Sequence, residues 1–196
     1  MQHKHLLKDL IEKFFPDGSV GVEIGVDCAD TTVYLLKNCP SLKKLYAIDP
    51  YFKRDGRYQT VKKQLSEYSN CELMRKTSDE AACDIPDDID FIFIDGDHSH
   101  MAVLSDLKNY VPKIKSGGLL TGHDWTCVRS QFGVVQACNE YLGANENLFQ
   151  PLYGNDALKN MGLGNFQRGG WSKKLKRHLI HKKRPSAFPL WWLVKN

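Results

Sequence analysis

Residues 90–125 read DFIFIDGDHSHMAVLSDLKNYVPKIKSGGLLTGHDW, and this stretch decides the fold. Phe91-Ile92-Phe93-Ile94 is short, continuously apolar and rich in aromatic and β-branched residues. Such a run suits a strand buried on both faces, as in a parallel sheet. It stops at Asp95-Gly96-Asp97-His98. A second apolar run, Gly118-Leu119-Leu120-Thr121, stops at Gly122-His123-Asp124. Between them Val103, Leu104, Leu107, Tyr110 and Val111 recur at helical spacing. A strand-helix-strand unit crosses over right-handedly and leaves its strands parallel. The two acidic turns are therefore expected side by side at the carboxyl edge of one sheet, where open α/β sheets bind ligands. Two clusters of carboxylate and imidazole meeting there form a candidate active site.

Working outward, the same alternation continues. Leu6, Leu7, Leu10, Ile11, Phe14 and Phe15 mark an amphipathic first helix, ended by Pro16-Asp17-Gly18. SVGVEI (Ser19 to Ile24) reads as a strand, followed by a tight turn and a helix through Leu36 that Asp30 or Thr31 is placed to cap. Leu45 to Ile48 reads as the next strand, Asp55 to Tyr68 as a helix and Cys71 to Met74 as a strand. Ser78 opens a short helix, Gly133 to Leu142 is helical, and Asn147 to Tyr153 and Leu190 to Val194 are strands suited to an antiparallel hairpin at one edge. The pattern predicts a Rossmann-like, doubly wound, mostly parallel seven-stranded sheet with an antiparallel edge strand. Residues 1–196 are expected to form a single domain.

Charge and cysteines narrow the function. The net charge is +4, yet 168–184 alone holds eight Lys or Arg; removing them from 27 leaves 19 basic against 23 acidic residues. The body is mildly acidic and the segment locally basic, so nucleic acid is an unlikely general partner. The segment reads as a solvated helix, a cover that attracts anionic groups, or an interface to nucleic acid or membrane, in that order. No apolar run approaches the ~20 residues of a membrane span, and the charged first residues lack a signal-peptide core. Six cysteines without a CxxC pair are expected to be reduced thiols, mostly buried, in a cytoplasmic setting. The apolar first helix and the last strand are candidate homo-oligomer surfaces.

Glu23-x-Gly25-x-x-x-Ala29 follows a strand and opens a helix. Its small residues suit either close approach of a ligand or close packing of the turn itself. Asp49 ends the second strand, where a carboxylate is placed to accept from two ribose hydroxyls. His98 is either a turn histidine or a base, and its place beside two acidic strand ends favours the base. Asp97 is placed to cap the helix near Ser99. His3 and His5 are expected to be solvated.

EIGVDCADTT, AIDPY, FIFIDGDHSH, SGGLLTGHDW and GVVQACNEY, in this order and spacing, resemble the class I S-adenosylmethionine-dependent methyltransferases. The nearest likeness is to the small-molecule and sugar O-methyltransferases of the macrocin and mycinamicin type, with catechol O-methyltransferases more distant. The resemblance covers Val20 to about Tyr141. It implies that Glu23, Gly25, Ala29 and Thr32 surround the methionine part of the cofactor. It places Asp49 at the ribose, Ser78 and Asp79 at the adenine, and Asp95 at the border of cofactor and metal. It implies Mg²⁺ or Mn²⁺ on Asp95 and Asp124, with His123 assisting, and His98 with Asp95 as the catalytic pair. The implied acceptor is a hydroxyl of a sugar or other small polyhydroxylated molecule, with a catechol-like acceptor or a non-catalytic binding protein as alternatives. Ala29 stands where the family's first motif usually ends in glycine, so an Ala-compatible backbone is expected there. His123 stands where relatives often carry a carboxylate, and Trp125 where catechol-type enzymes carry Asn.

A hydroxyl is a poor nucleophile. A divalent cation on hard carboxylate oxygens would lower its pKa, and an imidazole titrating near neutrality would take its proton.

Overall fold

Strand β4 (Ile89–Ile94) is buried along its whole length. Its side chains split between two cores. Phe91 and Phe93 face one cluster, and Ile92 and Ile94 the other. This is the two-sided burial expected of a central parallel strand. The structure is a computed structural model that describes residues 3–124, 133–145, 149–150 and 190–196, the pair 149–150 by backbone alone. The loops 126–132 and 154–170, Trp125 and the basic segment 168–184 lie outside the described residues.

In chain order the elements are α1 (His3–Phe14), β1 (Ser19–Ile24), α2 (Asp30–Asn38), β2 (Leu42–Ile48), α3 (Asp55–Leu65) and β3 (Cys71–Met74). Next come α4 (Ser78–Ala81), β4, α5 (His100–Tyr110), β5 (Ile114–Gly122), α6 (Val134–Ala144), β6 (Phe149–Gln150) and β7 (Trp191–Lys195). The sheet order is β3-β2-β1-β4-β5-β7-β6. β3, β2, β1, β4 and β5 are parallel, and β7 runs antiparallel to both β5 and β6. The expected count of seven needs correction: six strands have four or more residues, and β6 is a two-residue pairing against Lys195 and Val194.

Each face of the sheet is covered. Leu7, Leu10 and Ile11 of α1 and Leu35 of α2 meet Leu45, Phe91, Phe93 and Leu119 on one side. Val103, Leu107 and Tyr110 of α5 and Val134, Cys138 and Tyr141 of α6 meet Val22, Ile92, Ile94 and Leu120 on the other. The apolar stripe of α1, read as a candidate oligomer surface, is thus spent inside the chain. So is β7: Trp191 and Leu193 are buried, and Trp191 lies where a Cβ on Gly122 would be.

Other local expectations shift. Ala29, not Asp30 or Thr31, is the N-cap of α2 and makes no side-chain cap bond. Ser99 caps α5, its Oγ accepting from the Ala102 amide, and Asp97 accepts from the Ser99 amide at 2.8 Å. The described cysteines are less buried than expected: Cys39 and Cys138 are buried, Cys71 is intermediate, and Cys28 and Cys83 are exposed, while Cys127 lies outside the described residues. Among the described residues no helix is long and apolar enough to cross a membrane.

Candidate functional site

Strand register brings the two acidic turns together. Ile94 of β4 pairs with Gly122 of β5, and the His123 amide donates to the Ile94 carbonyl at 3.0 Å. Asp95 and His123 therefore leave the sheet side by side. Asp124 follows in a left-handed backbone conformation, φ 55°. His98 lies between the two acids: its Nε2 is 2.7 Å from Asp124 Oδ2 and 3.4 Å from Asp95 Oδ1. His123 reaches the same oxygens through Nδ1, at 3.4 and 3.5 Å.

This geometry sets the charges. The bond to Asp124, then that to Asp95, pushes His98 up to about 9. Burial lowers His123, but the two carboxylates outweigh it and carry it up to about 9 as well. Burial alone would raise Asp95 and Asp124. The two rings overcome it and hold both carboxyls below the usual carboxylate range.

His3 completes the cluster, against the expectation that it is solvated. It is half-buried at the start of α1, its ring centroid is 4.3 Å from that of His123, and it stacks on Phe93. Its Nε2 is 2.8 Å from Thr31 Oγ1. Burial, followed by the neighbouring His123, lowers its pKa. No sequence signal pointed to His3, because its place depends on where α1 docks. His5 is exposed and lies 3.2 Å from Tyr34 Oη.

Beside this cluster is a cavity of about 480 Å³, within the range of small-ligand sites. Gly25, Asp49, Ser78, Asp79 and Asp95, singled out from the sequence, line it together with Asp27, Phe52, Arg54, Thr77, Asp97, Ala102 and Asp106, which were not singled out as site residues. Asp95 is the shared wall between cavity and cluster. Glu23, Ala29 and Thr32 are not on the wall; they are buried beneath it.

Three of the loops at this edge, those after β1, β2 and β5, are held in demanding conformations. Asp27, Ala29, Tyr51, Lys53 and Asp124 all have positive φ, and such strain gathers at functional sites. Ala29 adopts φ 63°, so the loop keeps the glycine-type geometry and the Ala-compatible backbone expected there is absent. A left-handed Ala costs about 1–2 kcal/mol, partly offset by its buried methyl. Asp49 secures two of the strained loops: its Oδ2 accepts from the Asp27 amide at 2.9 Å and its Oδ1 from the Tyr51 amide at 2.8 Å. Each oxygen keeps a second lone pair for a ligand hydroxyl. Asp27 itself pairs with Arg54 and Arg57 at the cavity mouth.

Gly25 proves to be a packing glycine. Its φ is +94°, and a Cβ there would overlap the Asp95 carbonyl. The missing side chain lets the ends of β1 and β4 touch, which holds Asp95 in place. Gly25→Ala is accordingly expected to cost about 3 kcal/mol or more in urea unfolding. Ala29→Gly, which relieves strain and loses one methyl, is expected within about 1 kcal/mol of wild type. Equal effects of the two changes would refute this division of roles.

The residues fit the groups implied by the sequence. Glu23 is 1% exposed and its Oε2 has no hydrogen-bond partner, with the Thr32 side chain beside the carboxyl. Burial raises Glu23 to about 8. Buried orphan acceptors of this kind want a donor, and a ligand ammonium is one. For a cation, one donor atom each from Asp95, His98 and Asp124 lies within 4.8 Å of the others. Two carboxylates and an imidazole suit Mn²⁺ or a later dication better than Mg²⁺. This set contains His98, expected as the base, in place of His123.

A methyltransferase domain model matches residues 22–125, more than half of the chain. An uncharacterized protein of Acanthamoeba polyphaga mimivirus is 31% identical over 149 residues, covering 71% of this chain; the chain spans 66% of that relative's length. A solved rRNA methylase from Streptococcus thermophilus is similar in fold, with a TM-score of 0.64 at 17% identity over 100% of this chain and 97% of its own. A SAM-dependent O-methyltransferase from Thermotoga maritima aligns with a TM-score of 0.59 at 13% identity, over 97% of this chain and 64% of its own. At those identities the likeness speaks for the fold. The domain match covers β1 through the turn after β5, where the strand ends build the cavity and the acidic cluster, and the chain belongs to the methyltransferase-domain family.

Proposed function

We propose that this chain transfers a methyl group from S-adenosylmethionine to a hydroxyl oxygen of a small polyhydroxylated acceptor such as a sugar. The observation that carries the reading is the contact of two built features through Asp95. One is a cavity lined by Gly25, Asp49 and Ser78; the other is the cluster of Asp95, His98 and Asp124. The first suits a nucleoside-bearing donor and the second a hydroxyl that must lose its proton.

Glu23, below the cavity floor, holds the ammonium end of the donor, and Asp49 receives the ribose hydroxyls. Asp95 and Asp124, with an imidazole beside them, are the residues to hold a divalent cation. When bound, that ion supplies Lewis-acid polarisation of the acceptor hydroxyl. The acceptor oxygen forms the new C–O bond as the C–S bond breaks, leaving a neutral thioether. The hydroxyl proton passes to the other ring nitrogen of His98 in its neutral form, whose share grows as pH rises toward about 9, while the Nε2–H stays bonded to Asp124 Oδ2, which stabilises the imidazolium as it forms. The protein contributes mainly by holding the oxygen in line with the methyl group.

Calorimetric titration with S-adenosylhomocysteine is the first test, with micromolar binding expected. Tritium transfer from labelled S-adenosylmethionine to a panel of sugars, catechols and RNA then identifies the acceptor. His98→Ala is expected to lower turnover about 10²-fold or more with unchanged S-adenosylhomocysteine affinity. Full turnover without His98 removes it as the base, and labelling of RNA alone overturns the small-acceptor reading.

A further inference from the structure

His3 is a polar residue at the head of an apolar stripe. It stands one helical turn before Leu7 and two before Leu10, both fully buried against the sheet. That docking carries the first residue of α1 to the carboxyl edge of the sheet, beside the turn after β5. Three neighbours hold its imidazole there. The ring stacks on Phe93, with centroids 5.9 Å apart and planes 17° apart. Its Nε2 is 2.8 Å from the hydroxyl of Thr31, a buried residue in the first turn of α2. It also meets His123, centroid to centroid 4.3 Å and tilted by 53°. His123 in turn is in reach of both acids at once. Its Nδ1 lies 3.4 Å from Asp124 Oδ2 and 3.5 Å from Asp95 Oδ1. Bonds of that length, shared between two acceptors, orient a ring loosely, and the torsion that turns an imidazole is broad. A packed ring that is itself pinned removes that freedom.

We propose that His3 is a positioning residue for His123, and through it for the pair of carboxylates, Asp95 and Asp124, offered to a cation. His3 acts by packing: it keeps the His123 ring turned so that Nδ1 points between the two acids. Groups that bond to ligating carboxylates aim their oxygens, and losing one costs about 10- to 100-fold in metal affinity. His123 is such a group, His3 holds it, and Thr31 holds His3. The first turns of α1 and α2 thus belong to the support of the acidic cluster, although both lie far from it in the chain. The effect on a cation rests on the proposed function above; the hold on His123 rests on the contact alone.

The experiment compares wild type, His3→Ala and His3→Phe by two readouts. One is the Nδ1 proton of His123, followed by NMR on metal-free protein carrying isotope-labelled histidine and assigned with His123→Gln. The other is calorimetric titration with Mn²⁺. All are measured at a temperature where melting shows each protein to be folded, so a loss of stability alone moves neither readout. Wild type is expected to show a His123 proton protected from exchange with water. His3→Ala should broaden or abolish that signal and weaken Mn²⁺ binding by about 10-fold. His3→Phe keeps a ring on Phe93 and against His123, so it should restore the signal and bring Mn²⁺ affinity within about threefold of wild type. No protected signal in wild type, an unchanged signal in His3→Ala, or a His3→Phe protein that behaves like His3→Ala overturns the role of His3. A lost signal with unchanged Mn²⁺ affinity overturns its extension to the carboxylates. Failure of wild type to bind Mn²⁺ removes the cation from the proposed function and refutes that extension, while the His123 signal still decides whether His3 holds the ring.

Discussion

Asp124→Asn is expected to lower methyl transfer by about 10²- to 10⁴-fold while leaving S-adenosylhomocysteine binding within about threefold of wild type. The backbone is not the cause, because Asn accepts the left-handed conformation that Asp124 holds at φ 55°. The loss is electrostatic. Asp124 Oδ2 lies 2.7 Å from His98 and is the largest reason that ring is so basic; the side chain is only 9% exposed, so water screens the pair weakly. The amide keeps a hydrogen bond and removes the charge that stabilises the imidazolium. It also removes one of the two carboxylates available to a cation. Manganese binding followed by calorimetry should weaken in parallel, since a neutral amide oxygen is a poorer ligand. Turnover within threefold of wild type, in a protein with normal melting, would sink the assignment of Asp124.

Glu23→Gln is expected to abolish a loss of stability of several kcal/mol that wild type suffers between about pH 4.5 and 8. Burial is the main cause of the raised pKa. Thr32 opposes it, while Asp95 and Asp49 add to it, and the balance carries Glu23 from 4.5 to about 8. The unfolded chain gives up this proton near 4.5 and the folded chain near 8. Folding therefore takes up a proton in between. Stability is full below 4.5 and is lost as pH rises through 8, at up to about 1.4 kcal/mol per unit. Glutamine carries no proton to lose. Urea unfolding at pH 5 and 8.5 should show a much steeper decline for wild type than for Glu23→Gln; parallel declines would falsify the buried-acid account. S-adenosylhomocysteine should narrow the difference at pH 8.5, because its ammonium favours the ionised carboxylate beneath the cavity.

The two predictions probe opposite ends of one design. Asp95 joins them: it lines the cavity, its carbonyl packs against Gly25, and its carboxylate meets both His98 and His123. Gly25 holds the donor side to the acceptor side by letting two backbones touch. On the far side, the Trp191 indole donates to the His123 carbonyl at 3.1 Å, so the C-terminal strand braces the turn that carries Asp124.

Much of this was legible from residues 90–125. An apolar run ending in acid, a helical spacing and a second apolar run ending in acid define two parallel strands and their order. Parallel register then places Asp95 beside His123, because Ile94 and Gly122 are paired. Asp49, Ser78 and Asp79 came to the cavity for the same reason: each follows a strand of that sheet. These are consequences of local periodicity and chain connectivity, which a sequence carries explicitly. What the tertiary structure alone decided depends on how distant elements dock. His3 reads as a solvated terminal residue until α1 packs its apolar stripe on the sheet, stacks it on Phe93 and sets it against His123. Asp106 reads as one more polar residue on an amphipathic helix until Thr77 to Asp79 close over that face and exclude water from it. Gly25 and Ala29 look alike as small turn residues; only the approach of β4 makes the first irreplaceable and leaves the second a strained substitute. Periodicity and connectivity specify which strand ends meet, whereas the environment of each side chain, and with it each group's charge, is set by packing between segments far apart in the chain.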